Sequence, residues 1–166
     1  MGRAYYFRDP PGIWQWLVVA ALLLVLDQLS KWWIMRTLVH GQVIKVNTFI
    51  NLVLVYNEGA AFSFLAGASG WQRYFFITVS IVASILILYF MRRNSAQKLF
   101  CWSLSLILGG ALGNLLDRVF HGHVVDFLDV YVRTWHWPAF NVADSAITTG
   151  AFFLVLDEFR RVLRSR

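Results

Sequence analysis

Four stretches of this chain are long, apolar and almost free of charge. Tyr74–Met91 and Leu99–Leu116 each run 18 residues without a charged side chain, and Pro10–Leu26 runs 17. Phe140–Leu156 also runs 17, with Asp144 as its single charge. At about 1.5 Å per residue, an 18-residue helix reaches ~27 Å, close to the ~30 Å hydrocarbon core of a bilayer. The first run resumes after Asp27-Gln28-Leu29-Ser30-Lys31 with Trp32-Trp33-Ile34-Met35. Arg3 and Arg8 precede it as they would a signal peptide, but the run is too long and no small-x-small cleavage site precedes Asp27. The pattern predicts an all-α polytopic membrane protein with four transmembrane helices, over about 13–35, 72–91, 98–116 and 140–158.

Between the first two spans the period changes. Val43-Ile44-Lys45-Val46 and Phe49–Tyr56 are rich in β-branched residues and are separated by Asn47-Thr48. They predict a small extracytoplasmic antiparallel β-sheet within residues 37–70. Such a sheet is marginal alone and needs support from the bilayer or the helix ends. Ala66-Gly67-Ala68-Ser69-Gly70 reads as a flexible connection. The second outer segment, about 121–138, carries Trp135 and Trp137 as interfacial anchors. No internal repeat is evident, so residues 1–166 read as a single membrane-embedded domain.

Composition agrees. Hydrophobic residues make up 58% of the chain and charged ones 14%, against about 25% charged in a soluble domain. Soluble globular, collagen-like and disordered classes are excluded, and the lone Cys101 excludes an internal disulfide. The net charge of +6 suggests either nucleic acid or membrane orientation, and its placement decides. With both termini cytoplasmic, the inner side carries nine basic residues (Arg3, Arg8, Arg92, Arg93, Lys98, Arg160, Arg161, Arg164 and Arg166) against three acids. On the outer side five basic residues and five acids cancel. This is the positive-inside arrangement, and no nucleic-acid partner is expected.

An acid at the bilayer centre costs about 2.5–3.5 kcal/mol on insertion scales, so intramembrane polar residues need a reason. Asp27 and Lys31, at i and i+4, share a helix face and read as a neutralising structural pair. Asn114, Asp117 and Arg118 share a face at the outer end of the third span. For this trio alone, a helix cap or salt bridge fits as well as a functional site. Gly109 and Gly113 form a G-x-x-x-G pattern that suits close helix packing. Asn141, Asp144, Ser145 and Thr148 form one stripe down the outer half of the fourth span, after Pro138. Amides and hydroxyls can glue helices together; a carboxylate is a costlier choice.

Asp126 lies in Val124-Val125-Asp126-Phe127, flanked by bulky apolar residues, and with Asp144 it offers a carboxylate pair at the membrane face. Two carboxylates ~4 Å apart repel by ~4 kcal/mol at an effective dielectric of ~20, or roughly three pK units. Such a pair holds one shared proton: the ionised acid can activate water while the protonated one polarises a carbonyl. Spacing alone does not show that the two meet. His121-x-His123 with Asp126 is thin as a metal site, being three ligands on a short loop. A proton-coupled transporter and a non-catalytic scaffold are the rival readings. Against the first, the polar groups gather at one surface and do not cross the membrane.

Taken in order, five blocks resemble the bacterial lipoprotein signal peptidases (signal peptidase II). They are Asp27–Lys31, Asn57-Glu58-Gly59-Ala60-Ala61-Phe62-Ser63, Gly109–Arg118, Gly122-His123-Val124-Val125-Asp126-Phe127 and Phe140-Asn141-Val142-Ala143-Asp144-Ser145. The resemblance implies an intramembrane aspartic endopeptidase of the bacterial inner membrane that removes signal peptides from diacylglyceryl-modified prolipoproteins, cleaving before the lipidated cysteine. It implies Asp126 and Asp144 as the catalytic dyad, Asn57, Asn114, Arg118 and Asn141 as substrate-binding positions, and Asp27, Lys31 and Asp117 as structural polar residues. It further implies a lipid-modified substrate and membrane lipids as partners, a monomer, no metal or organic cofactor, and a site on the extracytoplasmic surface.

Overall fold

The computed structural model describes residues 12–59 and 70–164. Arg3, Arg8, Ala60–Ser63, the first part of the Ala66–Gly70 connection and Arg166 lie outside the described residues. Among the described residues four helices form: α1 (Trp14–Thr37), α2 (Trp71–Arg93), α3 (Lys98–Phe120) and α4 (Val142–Arg164). Each matches an apolar run from the sequence. The third continues past Leu116, carrying Asp117 and Arg118 inside its last turn.

The helices bury narrow stripes. In α1 the buried positions are Trp16, Ala20, Asp27, Lys31 and Ile34, spaced so that one face points inward. The rest of its surface is apolar and open, with Leu22 at 65% exposure. The same holds for α2, where Ser84, Ile87 and Met91 are buried and Ile85 is 61% exposed. Exposed aliphatic faces of this extent are stable against lipid and not against water. Helix α3 is the centre, packing against α1, α2 and α4. By length and composition, α1, α2 and α3 are each able to cross a membrane. Helix α4 is as long but more polar, with Asp144, Ser145, Thr148 and Thr149 near one end and Asp157, Glu158, Arg160 and Arg161 near the other.

The sheet is larger than the sequence suggested. Among the described residues it has four antiparallel strands in the order β1 (Val43–Lys45), β2 (Ile50–Asn57), β3 (Val124–Val132) and β4 (Trp135–His136). The first two are the predicted hairpin, whose turn is closed by Asn47 Oδ1 accepting from the N–H groups of Phe49 and Ile50 at 2.8 and 2.9 Å. The other two come from the segment read as a loop with aromatic anchors. Asp126 and Asp129 interrupt the apolar alternation of Val124–Val132 and hide the strand. The β2–β3 pairing runs from Ile50↔Val130 to Asn57↔Val124, with an irregularity between Leu52 and Val55. Val125 and Phe127 of β3 and Leu54 of β2 pack with Ile34 and Leu38, seating the sheet on the end of α1. A second core, including Trp16, Met91, Cys101 and Leu104, fills the opposite end of the bundle.

Glycines set the closeness of the helices. A Cβ at Gly109 would lie 2.7 Å from Ala20 O of α1. A Cβ at Gly110 would strike Ala143 O of α4, and one at Gly150 would lie 2.6 Å from Ser103 O of α3. One at Gly113 would collide with the Asp27 carboxylate. Gly109 and Gly113 therefore serve the packing role expected of them, and Gly110 and Gly150 add a second seam. Gly110→Ala and Gly150→Ala are each expected to lose about 1–3 kcal/mol by overpacking the α3–α4 seam. The measurement is thermal unfolding in detergent, with Ile85→Ala on the open face of α2 as the control that shifts little.

Candidate active site

The start of α4 is shaped by its own sequence. Asn141 caps the helix: its Oδ1 accepts the Asp144 N–H at 2.9 Å, and Asp144 Oδ2 accepts the Asn141 N–H at 3.4 Å. This is a reciprocal capping box with aspartate at its third position. It fixes Asp144 in the first turn, where backbone N–H dipoles converge.

Asp126 reaches the same place from β3. Its residue is 2% exposed, and both carboxylate oxygens are engaged. Asn57 Nδ2 donates to Oδ2 at 2.9 Å and Asn141 Nδ2 donates to Oδ1 at 2.7 Å. Asn141 thus touches both acids, one through its side-chain amide and the other through its backbone N–H. Asn114 completes the ring: its Nδ2 donates to Asp144 Oδ1 at 2.8 Å, while its Oδ1 accepts from Asn141 Nδ2 at 3.3 Å and Lys31 Nζ at 3.0 Å.

Behind this ring lies a buried ionic knot. Lys31 Nζ sits 2.8 Å from both Asp27 Oδ2 and Asp117 Oδ2. Gln28 Nε2 donates to Asp27 Oδ2 at 3.2 Å and to Asp117 Oδ1 at 2.8 Å. Asp27 Oδ1 accepts the N–H of Ala143 on α4 at 2.8 Å, and Asp117 Oδ2 accepts the N–H of Val125 on β3 at 3.2 Å. The knot therefore anchors the backbone beside each member of the carboxylate pair. Among the described residues, every buried side-chain nitrogen and oxygen has a partner.

Burial pushes the Asp126 carboxyl up to about 6; the Asn57 hydrogen bond pulls it down, the neighbouring Asp144 charge raises it, and Asn141 and Lys31 pull it down. Arg118 lies over the Phe76 ring, 4.8 Å from its centroid, and donates to Asn114 O at 3.3 Å. Its guanidinium feels the charges of Asp144, Asp117 and Asp126 but forms no ion pair among the described residues.

Two clefts flank the pair. One, of about 340 Å³, is lined by Val55, Tyr56, Asn57, Glu58, Asp126, Pro138 and Ala139. The other, of about 400 Å³, is lined by Trp137, Phe140, Asp144, Ser145, Thr148 and Thr149.

All nine site positions implied by the resemblance thus converge on one end of the bundle, with Arg118 beside the carboxylates without pairing with them. The histidines do something else. His123 packs on Tyr56 at 4.2 Å between centroids, and Tyr56 stacks on His40 at 4.9 Å. Burial, then the neighbouring His121, holds the His123 ring below the usual histidine range. Among the described residues no group of His, Cys, Asp and Glu is arranged to hold a metal. The bridge made by Gln28 was missed, although its place between Asp27 and Lys31 signalled it. Also missed was a second polar cluster, in which buried Asn51 and exposed His136 both bind Asp129. Its signal was weak, since Asn51 lies 78 residues from Asp129 in sequence.

A membrane-embedded helical protein, with a sheet closing a buried carboxylate and amide site, is the class that fold and site define. Solved structures described as a bacterial membrane enzyme share it. One, at 2.3 Å resolution, superposes with a TM-score of 0.85 at 29% identity, covering 97% of each chain. Another, at 1.9 Å, gives 0.80 at 30% identity over 92% of this chain and 97% of that one.

Residues 19–160 match the peptidase A8 family, described as signal peptidase (SPase) II, and the chain belongs to that family of proteases. The lipoprotein signal peptidase of Janthinobacterium sp. strain Marseille is 56% identical over 157 residues, covering 95% of both chains. Those of Paraburkholderia phytofirmans and Cupriavidus necator are 57% and 59% identical, covering 91% and 90% of this chain and 88% and 85% of their own.

Lys31→Met would leave two buried carboxylates without their cation and is expected to cost about 3–5 kcal/mol. Adding Asp117→Asn should recover part of that loss. Unfolding midpoints of the single and double variants check both steps.

Proposed function

We propose that Asp126 and Asp144 are the catalytic dyad of a peptidase that removes signal peptides from diacylglyceryl-modified prolipoproteins, cutting before the lipidated cysteine. The observation that carries this reading is the junction at Asn141, where acids from a strand and a helix of distant sequence share one hydrogen-bonding partner. The proton belongs on Asp126, whose carboxyl burial raises to about 6. Asp144 then takes a proton from water as the water oxygen attacks the scissile carbonyl carbon, while Asp126 hydrogen-bonds the carbonyl oxygen. The tetrahedral intermediate collapses with cleavage of the C–N bond, and a proton passes to the cysteine amine. No metal or organic cofactor enters this scheme.

Asn57, Asn114 and Asn141 orient the carboxylates; Asn57, which lines the cleft at Asp126, is the one best placed to meet a substrate backbone, and Arg118 lies beside the acids. Asp27, Lys31 and Asp117 hold the scaffold. In this reading α4 is a fourth span and the whole chain is one membrane-embedded unit, acting as a monomer among inner-membrane lipids. Both termini are cytoplasmic and the dyad faces the extracytoplasmic side. The basic residues at the ends of α2, α3 and α4 opposite the sheet support that orientation. Acyl chains contribute ~0.8 kcal/mol per buried CH₂, so the bilayer itself helps deliver the lipidated substrate to the site.

Purified wild type should cleave a diacylglyceryl-prolipoprotein before its cysteine, unaffected by chelator. Asp126→Asn and Asp144→Asn, shown to be folded, should each lose about 10²–10⁴-fold in turnover. Normal cleavage by either variant would sink the dyad. The pH profile tests the proton assignment separately. With Asp126 as the acid, kcat/KM should fall as pH rises through about 6 in the free enzyme. The Asn57 hydrogen bond favours the charged carboxylate, so Asn57→Ala should move that alkaline limb to higher pH.

A further inference from the structure

Among the described residues, the cleft beside Asp126 has one other charged lining residue, Glu58. Its side chain is exposed, yet its backbone is held on both sides. Asn57 before it is tied to Asp126, and the Gly59 N–H after it donates to Asn57 Oδ1 at 2.8 Å. Gly59 takes φ +100, and a Cβ there would lie 2.6 Å from the Phe76 ring. Both the conformation and the close approach demand glycine at that position. Glu58 is therefore carried on a short turn that these contacts hold beside Asp126. It forms no ion pair among the described residues, and the neighbouring His123 ring feels its charge.

The two clefts differ in what continues from them. The one at Asp144 runs along α4 past Ser145, Thr148 and Thr149. The one at Asp126 opens between β2 and the Pro138–Ala139 segment, away from the helices. An apolar signal segment belongs beside the helix. The chain that follows the cleaved bond, which lies outside the bilayer, belongs in the cleft on the sheet side.

We propose that Glu58 is a specificity-determining residue that selects by charge the first residues after the lipidated cysteine, favouring cationic over acidic side chains there. The inference rests on the peptidase reading given above. A pair of exposed charges is weak, and screening by salt weakens it further. The expected preference for lysine over glutamate is accordingly about two- to tenfold in kcat/KM.

The test uses the full chain in an uncharged detergent at pH 7, where an ordinary histidine is largely neutral and Asp126 still keeps part of its proton. The substrates are synthetic diacylglyceryl peptides identical except for Lys, Gln or Glu immediately after the cysteine. The readout is the Lys-to-Glu ratio of kcat/KM within each variant, which cancels any change in overall activity. The ratio should exceed one in wild type, approach one in Glu58→Gln, and invert in Glu58→Lys. It should also shrink when salt is raised from 0.05 to 0.5 M, as Debye screening requires. A ratio near one in wild type, or one that is the same in all three proteins, overturns the assignment while leaving the peptidase reading intact. So does a Glu58-dependent preference that appears only for residues preceding the cysteine. Failure of the folded wild type to cut any of the peptides overturns the peptidase reading and this inference with it.

Discussion

Lys31 is the residue on which the rest of this structure depends. Its ammonium lies between Asp27 of its own helix and Asp117 of α3, with all three residues buried. An uncompensated charge there would cost several kcal/mol, so the three residues are stable only together. The helices have little hydrophobic preference for one another in lipid, because tails and aliphatic side chains are equally apolar. Position is set instead by small-residue seams and by this knot. Asp27 Oδ1 accepts the backbone N–H of Ala143, and Asp117 Oδ2, the oxygen that also faces Lys31, accepts that of Val125. One N–H lies next to Asp144 in sequence and the other next to Asp126. The same ion cluster that holds α1 to α3 therefore also sets the separation of the two carboxylates of the proposed dyad.

The amides play a different part. Asn57, Asn114 and Asn141 each supply donors to a carboxylate without bringing a competing charge. A lysine or arginine in direct contact would hold both acids ionised, and a shared proton would be lost. Arg118 is placed in keeping with this: close enough to feel the acids, but spent on Asn114 O and the Phe76 ring. Among the described residues, the buried charges are also confined to one end. The opposite half is an apolar core around Met91 and Cys101, where the buried hydroxyls of Ser103 and Ser105 bond to carbonyls of their own helix, and among the described residues it holds no buried carboxylate to relay a proton across the membrane.

The helices were legible in the sequence because span length and charge exclusion are strong signals. The carboxylate pair was legible as two costly residues, though nothing in the spacing of 126 and 144 shows that they meet. Their meeting depends on β3, which the sequence hid. Val124–Val132 carries two acids, and each would be a poor choice on the face of an ordinary strand. Here Asp126 is matched by Asn57 and Asn141, and Asp129 by Asn51 and His136. The alternation of apolar and polar residues breaks where partners from other segments make burial tolerable. Gln28 was obscured for a related reason: it sits in a motif whose charged members attract attention, and its role appears only when α3 is alongside.

Charge balance links these observations. Four buried or half-buried acids, Asp27, Asp117, Asp126 and Asp144, gather around two cations, Lys31 and Arg118. With every group ionised the cluster would carry two excess negative charges in a poorly polarisable setting. One proton on the carboxylate pair halves that excess, and the three asparagine amides spread what remains over neutral dipoles. A third cation would remove the need for the proton; losing Lys31 would leave more repulsion than the fold can absorb. The composition of this end of the bundle, with its surplus of acids and its amides in place of further bases, is what a site must have if it is to hold a single proton between two aspartates.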